Sequence, residues 1–398
     1  MSQMNFDVVV VGGGPSGATL AAQLAHQGLS VAMIDRRHLE GQDYLETKPC
    51  GGGIDARFYK LLAEGVSAED AKIAIGPHEI NSLVVRHNGM HEYAHEYDEP
   101  FLHMGMRERI DGFLAAAAAR NGVEIFNGTV DEVIDHGRNY EVVGEQRIFG
   151  KYLVGADGAY SAISRLTKVS PKTQVFLASE WECEVEDPDM WAQWQHRALI
   201  DTRIYPMGYG WIFPKHSGHL SIGWGLPTQA GKKLRGMTEA IFEANDILGV
   251  IKRAAHWIPF NRGGAISRDR IILIGDAAGV CNPANGGGIS PAMESGLLGS
   301  AAILNDLQHP GTLSSLYEEM VKELVINKYR GAEAMRNYLL LSTAANPAKA
   351  SRDPSLWGWF VGDLNDTITY SQWATEHPWR RLIGGIVNPF VNKVFSRI

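Results

Sequence analysis

The sequence predicts an α/β fold with three parts: a domain built on a parallel sheet, a β-sheet domain inserted into it, and a helical C-terminal region. Three observations predict this fold. An apolar strand, a glycine-rich turn and a helix open the chain, alternating aromatic residues follow from residue 175, and helical patterns dominate from residue 314. The expected boundaries are 1–170 and 262–310 for the first domain, with part of 55–105 on the inserted side, 171–261 for the inserted domain, and 311–398 for the C-terminal region.

Composition restricts the kind of protein. The chain has 398 residues, of which 45% are hydrophobic and 21% charged, as is typical of a globular protein with more than one core. A net charge of -8 provides no basic face, so we expect no nucleic-acid partner. Cys50, Cys183 and Cys281 are scattered and lack metal-ligand spacing, which indicates a reducing compartment and no metal site.

The two ends of the chain indicate where in the cell the protein is expected. A strand begins almost at once and no long apolar run follows, so we expect neither a signal peptide nor a transmembrane helix, and a cytoplasmic protein. Residues 377–398 mix basic and apolar residues in the spacing of an amphipathic surface helix, interrupted at Gly384–Gly385 and Pro389. This segment either docks on the inner face of a membrane or packs on the protein.

Residues 6–35 predict a β-α-β unit of the Rossmann type, which binds a dinucleotide. Gly12 permits the tight turn out of the strand, Gly14 lets the backbone approach a pyrophosphate, and Gly17 allows helix and strand to pack closely. The helix start presents free N–H groups and the positive end of its dipole to the phosphates. The residues assigned to this contact are Gly12, Gly14, Pro15, Ser16 and Gly17.

Asp35 ends the second strand of this unit. Its carboxylate would accept hydrogen bonds from a ribose diol and would repel a 2′-phosphate, which favours FAD or NAD over NADP. Arg36 follows directly and is counted among the cofactor-binding residues.

Two later strands also end on an acidic residue beside a glycine. Asp157–Gly158 is either a turn and helix cap or a second contact to the nucleotide. Gly275–Asp276 places a carboxylate where a ribityl or ribose hydroxyl would lie. A glycine run then precedes a helix and suits a flavin ring or its pyrophosphate: Gly286, Gly287, Gly288 and Ile289.

Two further features allow a functional and a structural interpretation. Three glycines follow Cys50, and such a bare backbone either lies flat against a planar ring or forms a flexible turn beside a buried thiol. Arg107 or Arg109, near the start of an alanine-rich helix, either reaches a phosphate or ribose or is a solvated surface arginine.

The inserted domain carries an aromatic strand. Tyr209, Trp211 and Phe213 share one face because side chains alternate along a strand. The pattern is typical both of an apolar wall beside a ligand and of ordinary core packing. Helices are predicted from Met237 to Ala255 and from Ser314 to about Ala344.

The three strand-end elements together resemble the FAD-binding domain of the p-hydroxybenzoate hydroxylase superfamily, over roughly residues 5–300. Within it, residues 209–215 (Tyr-Gly-Trp-Ile-Phe-Pro-Lys) are similar to the YxWxFPK signature of the geranylgeranyl reductase family. Residues 48–53 resemble that family's cysteine-glycine segment near the isoalloxazine ring, which brings Cys50 and Gly51 to the flavin.

The same resemblance assigns the remaining motifs. It makes Arg107 the arginine at the FAD, matches Asp157–Gly158 to the middle Asp-Gly motif, gives Asp35 the adenosine ribose, and gives Gly275–Asp276 the riboflavin part of FAD.

The resemblance also implies a reaction, the reduction of isolated C=C bonds in polyprenyl chains. An isolated alkene is a poor hydride acceptor, so it must be held near the flavin in a dry tunnel with a proton source opposite. Tyr209 and Trp211 suit the wall of such a tunnel, and Cys50 is the candidate for protonation or flavin positioning. The electron donor is either a transiently docked NAD(P)H or a ferredoxin, because no second glycine motif marks a nicotinamide domain.

Three rival interpretations remain. Residues 211–214 partly match the WxWxIP signature of flavin-dependent halogenases, which points to an oxygen-activating hydroxylase or halogenase of an apolar or aromatic substrate. A non-redox FAD-dependent polyene cyclase is the second. A prenyl-binding escort protein is the third and is disfavoured, because this chain keeps all three nucleotide elements.

Overall fold

The computed structural model describes residues 4–37, 48–87, 91–202, 208–216, 218–227, 249–329 and 331–364, together with residues 366, 370, 375 and 376. The strands in these ranges are β1 Met4–Val11, β2 Val31–Asp35, β3 Gly53–Ile54, β4 His78–Ile80, β5 Ser82–His87, β6 His91–Glu96, β7 Leu102–Met104, β8 Glu124–Asn127, β9 Val130–Asp135, β10 Tyr140–Gly144, β11 Arg147–Gly155, β12 Pro171–Glu184, β13 Arg197–Asp201, β14 Tyr209–His216, β15 His219–Pro227, β16 Val250–Gly264, β17 Ser267–Arg268 and β18 Ile271–Leu273.

The α-helices in the same ranges are α1 Pro15–His26, α2 Ala68–Ile75, α3 Arg107–Arg120, α4 Ala162–Thr167, α5 Pro188–Trp194, α6 Ile289–Gln308, α7 Leu313–Val321, α8 Ala332–Ala345, α9 Pro347–Arg352 and α10 Pro354–Leu364. Short 3-10 turns cover Phe58–Lys60, Gly275–Ala277 and Asn327–Tyr329, and one π-turn covers Lys322–Ile326.

The first sheet is built around the opening β-α-β unit. Its order is β17-β18-β11-β1-β2-β8, with β10 beside β11 and β9 beside β10. β1 pairs in parallel with both β2 and β11, so the loops after these strands meet at one edge. Val8, Val9 and Val10 are fully buried, as expected for a central parallel strand covered by helices. This edge is where the glycine turn, Asp157 and Asp276 come together.

The second sheet has the order β16-β12-β15-β14-β13-β5-β6. One face packs into its own core, in which Trp181, Ile212 and Trp224 are buried. On the opposite face Tyr209 and Phe213 pack against the core of the first domain. A small third sheet has the order β3-β7-β4, and its strand β3 follows the segment Cys50–Gly52 directly in the chain. The α/β fold class is therefore confirmed, and the domain boundaries remain a prediction.

Two predicted helices differ from the structure. Residues 250–255, expected to end a helix that starts at Met237, are part of strand β16, because they pair with β12 from Cys183 back toward Ser179. The rest of that prediction, residues 237–248, lies outside the described residues. The helix predicted from Ser314 to Ala344 is interrupted by the π-turn, the 3-10 turn and Gly331, whose φ is +99°. The amphipathic segment 377–398 also lies outside the described residues.

Candidate active site

The glycine-rich turn has the tight geometry that its sequence predicts. Gly12 has a φ of +107°, and a Cβ there would lie 2.3 Å from the carbonyl oxygen of Ala156. A Cβ on Gly17 would lie 1.9 Å from the carbonyl oxygen of Gly12. Gly14 differs from both, because a Cβ there would meet no protein atom within 4 Å. Gly12 and Gly17 are therefore needed for packing, whereas Gly14 borders open space at the start of α1, where Pro15 and Ser16 are buried.

Asp35 is buried and its four hydrogen bonds fill the acceptor capacity of its carboxylate. It accepts from the backbone N–H of Gly13 at 2.7 Å and from the backbone N–H of Arg37 at 2.8 Å. The Arg37 guanidinium adds two contacts at 3.0 Å. Burial alone would raise the pKa of Asp35, but these bonds and the charge of Arg37 hold it below its usual value. Arg36 is exposed, so Arg37 is the arginine that reaches Asp35.

An ion-pair chain runs from Asp35 toward Cys50. Arg37 donates to Asp111 at 3.0 Å, and Asp111 is fully buried. Arg107 forms a bidentate ion pair with the same carboxylate, at 3.1 Å from Nε and 2.9 Å from Nη2, and its guanidinium lies near the Cys50 thiol. Arg109 is exposed. Of the two candidate arginines, Arg107 is therefore the one in the interior.

Asp157 serves as a cap and also has a free oxygen. Its Oδ2 accepts from the backbone N–H groups of Ala162 and Ile163, at 2.6 and 3.1 Å, and so caps α4. Its Oδ1 is buried without a hydrogen-bond partner among the described residues. Burial raises the pKa of this carboxyl above its usual value. A buried acceptor with no partner is costly, which fits a site completed by a ligand donor.

Asp276 is the third acidic residue at this sheet edge. Its Oδ2 forms an ion pair with Lys48 and its Oδ1 accepts from the thiol of Cys281 at 3.2 Å. Burial would raise its pKa, but the charge of Lys48 lowers it below the usual value. The preceding Gly275 has a φ of +60°, and a Cβ there would lie 2.5 Å from Ser16 Oγ. This contact joins the Asp276 turn to the start of α1.

The glycine run before α6 lies beside Asp276. A Cβ on Gly288 would be 3.2 Å from Cys281 Sγ and 3.7 Å from Asp276 Oδ1, and Ile289 then begins the helix. Gly286 has a φ of +71°. Just before this run, the carbonyl of Asn285 accepts the phenolic O–H of Tyr209. The aromatic strand β14 and the glycine run are thus in direct contact.

The Cys50–Gly52 segment lies against the aromatic strand. A Cβ on Gly51 would be 3.1 Å from the Phe213 ring and 3.7 Å from Trp211 Nε1. The two rings are stacked, with centroids 6.1 Å apart and an interplanar angle of 23°. Cys50 is partly buried, and its sulfur accepts from the backbone N–H of Gly52 at 3.4 Å. The segment therefore has aromatic rings on one side and the guanidinium of Arg107 at its thiol.

The face of the second sheet that carries these rings also carries buried charges. Lys215 forms an ion pair with Glu182, and the two side chains are 3% and 4% exposed. Burial, reinforced by the neighbouring Glu180, raises the pKa of Glu182 to about 7 despite Lys215. Glu180 is also buried, and it accepts from the backbone N–H of Cys50 at 2.7 Å. These side chains bring several titratable groups directly to the Cys50 segment.

Motif analysis assigned no role to several of these residues. They are Arg37, Lys48, Glu180, Glu182 and Lys215. Glutamates at period 2 that alternate with Trp181 and Cys183 near the end of β12 were a usable sign in the sequence, because charges on a buried strand face need partners. In the described part of the chain, no group of His, Cys, Asp and Glu side chains is arranged to hold a metal ion. No helix there is long and apolar enough to span a membrane.

A separate cavity of about 350 Å³ opens beyond Cys281, between β16 and the turns that follow α7. Its volume is in the range of small-molecule pockets. Its lining combines Phe260 and Tyr329 with the charged side chains of Arg262 and Glu333, which form an ion pair at 2.9 Å. The mixed polar and apolar lining distinguishes this cavity from the aromatic wall.

The fold and the site define a dinucleotide-binding flavoprotein. Open space at Gly14, the unpartnered Asp157 Oδ1 and the carboxylate of Asp276 all lie at one edge of a parallel sheet, and they fit FAD. The family model for the FAD binding domain matches residues 5–298, and the chain belongs to that family. Its cofactor is FAD.

Known proteins with similar sequence or structure agree with this assignment. A digeranylgeranylglycerophospholipid reductase of Methanopyrus kandleri is 28% identical over 333 residues, which cover 78% of this chain and 80% of the relative. A geranylgeranyl bacteriochlorophyll reductase-like protein of Thermoplasma acidophilum has the same fold, with a TM-score of 0.74 at 20% identity over 92% of this chain and all of the other. A flavin-dependent brominase shares it too, with a TM-score of 0.70 at 19% identity over 98% of this chain and all of the other.

Proposed function

We propose that this protein is an FAD-dependent oxidoreductase that reduces C=C bonds of a polyprenyl chain of the geranylgeranyl type. The observation that carries the proposal is the contact of Trp211 and Phe213 with Gly51, in the segment whose Lys48 forms an ion pair with Asp276. An apolar chain lying along these rings would be next to the segment expected to border the flavin. The name of the Methanopyrus kandleri relative supports a prenyl lipid as the substrate class.

The geometry of the site supports the following assignment of residues to FAD. The turn at Gly14, with α1 behind it, takes the pyrophosphate through backbone N–H groups. Asp35 takes the adenosine ribose by exchanging part of its bonding to Arg37, because its acceptor positions are filled in this structure. Asp157 and Asp276 contribute carboxylates toward the cofactor. The run of 286–289 and the Cys50–Gly51 backbone border the ring, Arg107 supports that backbone through Cys50, and exposed Arg36 contacts an outer part of the cofactor.

The chain's own residues prepare the alkene for reduction. Bound FAD in its reduced form supplies the hydride. Tyr209, Trp211 and Phe213 exclude water from the prenyl chain and hold it in one orientation, which is most of what an unactivated alkene requires. Cys50 lies at the end of this wall, where its thiol either gives a proton to the second carbon or positions the flavin.

The proposal also includes an electron donor and a contact with the membrane. The electron donor docks from solution, as either NAD(P)H or a ferredoxin. The substrate is a membrane lipid or is derived from one, so we assign residues 377–398 to peripheral membrane contact. Flotation of the full chain with anionic and neutral vesicles, compared with a chain that ends at residue 376, tests this assignment.

An anaerobic experiment tests the function. The purified protein is reduced with dithionite, geranylgeranyl lipid is added, and the flavin spectrum and product mass are followed. Reoxidation with a gain of two hydrogens per turnover is the expected result. Flavin that stays reduced until oxygen is admitted would refute the reductase proposal for these substrates and favour the oxygenase or halogenase alternative. A product of unchanged mass would identify a cyclase.

The role of Cys50 is tested in the same assay. Cys50→Ala and Cys50→Ser are expected to lower the rate of reoxidation, whereas Cys183→Ala serves as a control because that thiol is buried in the core of the second sheet. Full turnover with normal flavin in both Cys50 variants would remove Cys50 from the mechanism.

A further inference from the structure

Glu180 connects two parts of the site that are far apart in sequence. Its Oε1 accepts from the backbone N–H of Cys50 at 2.7 Å. Its Oε2 accepts from the hydroxyl of Ser221 at 3.4 Å, and the same hydroxyl oxygen accepts from the indole N–H of Trp211 at 3.0 Å. One carboxylate therefore bonds to the segment beside the flavin site and, through Ser221, to the aromatic wall.

We propose that Glu180 is a positioning residue of this enzyme, which holds the Cys50–Gly52 segment and the Trp211 indole at a fixed separation so that a prenyl chain between wall and flavin is kept in register. This inference rests on the proposed function for its substrate. The positioning itself concerns only atoms of this chain and is testable without any substrate.

Strand register explains how Glu180 reaches both parts. In the pairing of β12 with β15, Glu180 stands opposite Gly223, and Glu182 stands opposite Ser221. In the pairing of β14 with β15, Trp211 stands opposite Gly223 as well. A Cβ on Gly223 would lie 2.4 Å from the Trp211 ring, so the indole crosses the strand over this glycine. The ring can thus lie beside Glu180 because residue 223 has no side chain.

The charges around Glu180 make a buried carboxylate at this position energetically costly. Lys215 of β14 and Glu182 of β12 are buried beside it, and Glu108 of α3 and Lys252 of β16 are further charged groups that act on the cluster. Replacing a buried ionic cluster by apolar residues is often neutral or stabilising, so such a cluster is a weak source of stability. A backbone N–H and a serine hydroxyl need only a neutral acceptor. A buried carboxylate with two directed bonds favours a geometric role.

The reactivity of Cys50 measures the first connection. In the FAD-loaded protein, alkylation by iodoacetamide is followed by mass spectrometry of the Cys50 peptide, with buried Cys183 and Cys281 as internal references. Glu180→Ala is expected to increase the Cys50 alkylation rate about ten-fold, as the loss of a hydrogen bond to a charged group allows. Glu180→Gln keeps an acceptor for the Cys50 N–H and is expected to stay near the wild-type rate, which separates position from charge.

Steady-state kinetics with the prenyl substrate measure the second connection. Ser221→Ala removes the hydroxyl that links Trp211 to Glu180 and leaves the bond between Glu180 and the Cys50 N–H in place, so we expect a higher KM with kcat and Cys50 alkylation unchanged. Glu180→Ala breaks both connections and is expected to raise KM and lower kcat, with Glu180→Gln restoring most of kcat. Glu184→Gln is the matched control, because Glu184 is on the same strand and exposed, and it should behave as wild type in both assays.

The outcomes separate this inference from the proposed function. If the wild-type protein reduces no prenyl lipid, the proposed function fails, and the alkylation rates still decide whether Glu180 positions Cys50. If alkylation in Glu180→Ala equals that of Glu184→Gln, the positioning role is overturned even when the reductase is active. Should Glu180→Ala not fold, an unchanged KM in Ser221→Ala would overturn the connection to Trp211.

Discussion

The two sides of the site are built in different ways. On the nucleotide side, glycines shape the turns within short stretches such as 12–17 and 286–289. On the side of the second sheet, Glu180, Glu182 and Lys215 meet only because β12, β14 and β15 pair in one register. The turns on the first side depend on missing side chains, whereas the charge cluster on the second side depends on strand pairing. Substitutions on the two sides should therefore fail for different reasons.

The largest effect is expected for Gly17→Ala. The added Cβ would lie 1.9 Å from a backbone oxygen that cannot move without opening the turn, so the free energy of unfolding should fall by about 3 kcal/mol or more. Chemical denaturation of the protein without FAD measures this. Gly28→Ala is the control, because its φ is +86° and its space is empty, and it should cost only about 1 kcal/mol. Equal losses in the two variants would contradict a special packing role for Gly17.

The next effect is expected for Lys48→Met, which tests a charge on the nucleotide side. In the wild type, Asp276 has a lowered pKa, so its contribution to stability is complete above the ordinary value of 3.8 and is lost only as pH falls below it. Without Lys48, burial raises the pKa, and stability should fall as pH rises from about 4 toward 7. We expect a loss of about 2 kcal/mol at pH 7, relative to wild type, and a smaller loss at pH 5. A loss independent of pH would show that Lys48 acts by packing alone.

Gly14→Ala should separate binding from folding. Its φ of -72° suits alanine and no protein atom lies within 4 Å of the added methyl, so the free energy of unfolding should change by less than about 1 kcal/mol. The methyl would occupy the space assigned to the pyrophosphate, so FAD affinity should fall about ten-fold or more. Titration of the apoprotein with FAD measures this, with Gly28→Ala expected to bind as wild type. Unchanged affinity in Gly14→Ala would place the pyrophosphate elsewhere.

The same difference explains what sequence reasoning found and missed. The glycine turns and the acidic strand ends were identified because each motif is local and its geometry follows from its own residues. The shared face of Tyr209, Trp211 and Phe213 follows in the same way from strand alternation. The helix predicted up to Ala255 was wrong for 250–255, because Ala254 and Ala255 favour a helix locally but β12 imposes a strand by pairing. Roles for Glu180 and Lys215 require that pairing to be known, so no local motif predicts them.

The last effect concerns the charged side of the site, where the expected change is a slope of stability against pH rather than a fixed loss. The pKa of Glu182 is raised from an ordinary 4.5 to about 7, so the folded chain keeps a proton that the unfolded chain releases between these values. Stability should therefore decrease as pH rises through this window, by no more than about 1.4 kcal/mol per pH unit.

Glu182→Gln removes the titration but keeps the shape of the side chain, so this part of the slope should disappear. Urea unfolding at several pH values between 5 and 7 measures it, with Glu184→Gln as the exposed control on the same strand. An unchanged slope in Glu182→Gln would mean that Lys215 keeps Glu182 ionised throughout this range. The second side of the site would then hold a permanent ion pair rather than a proton that exchanges near neutral pH.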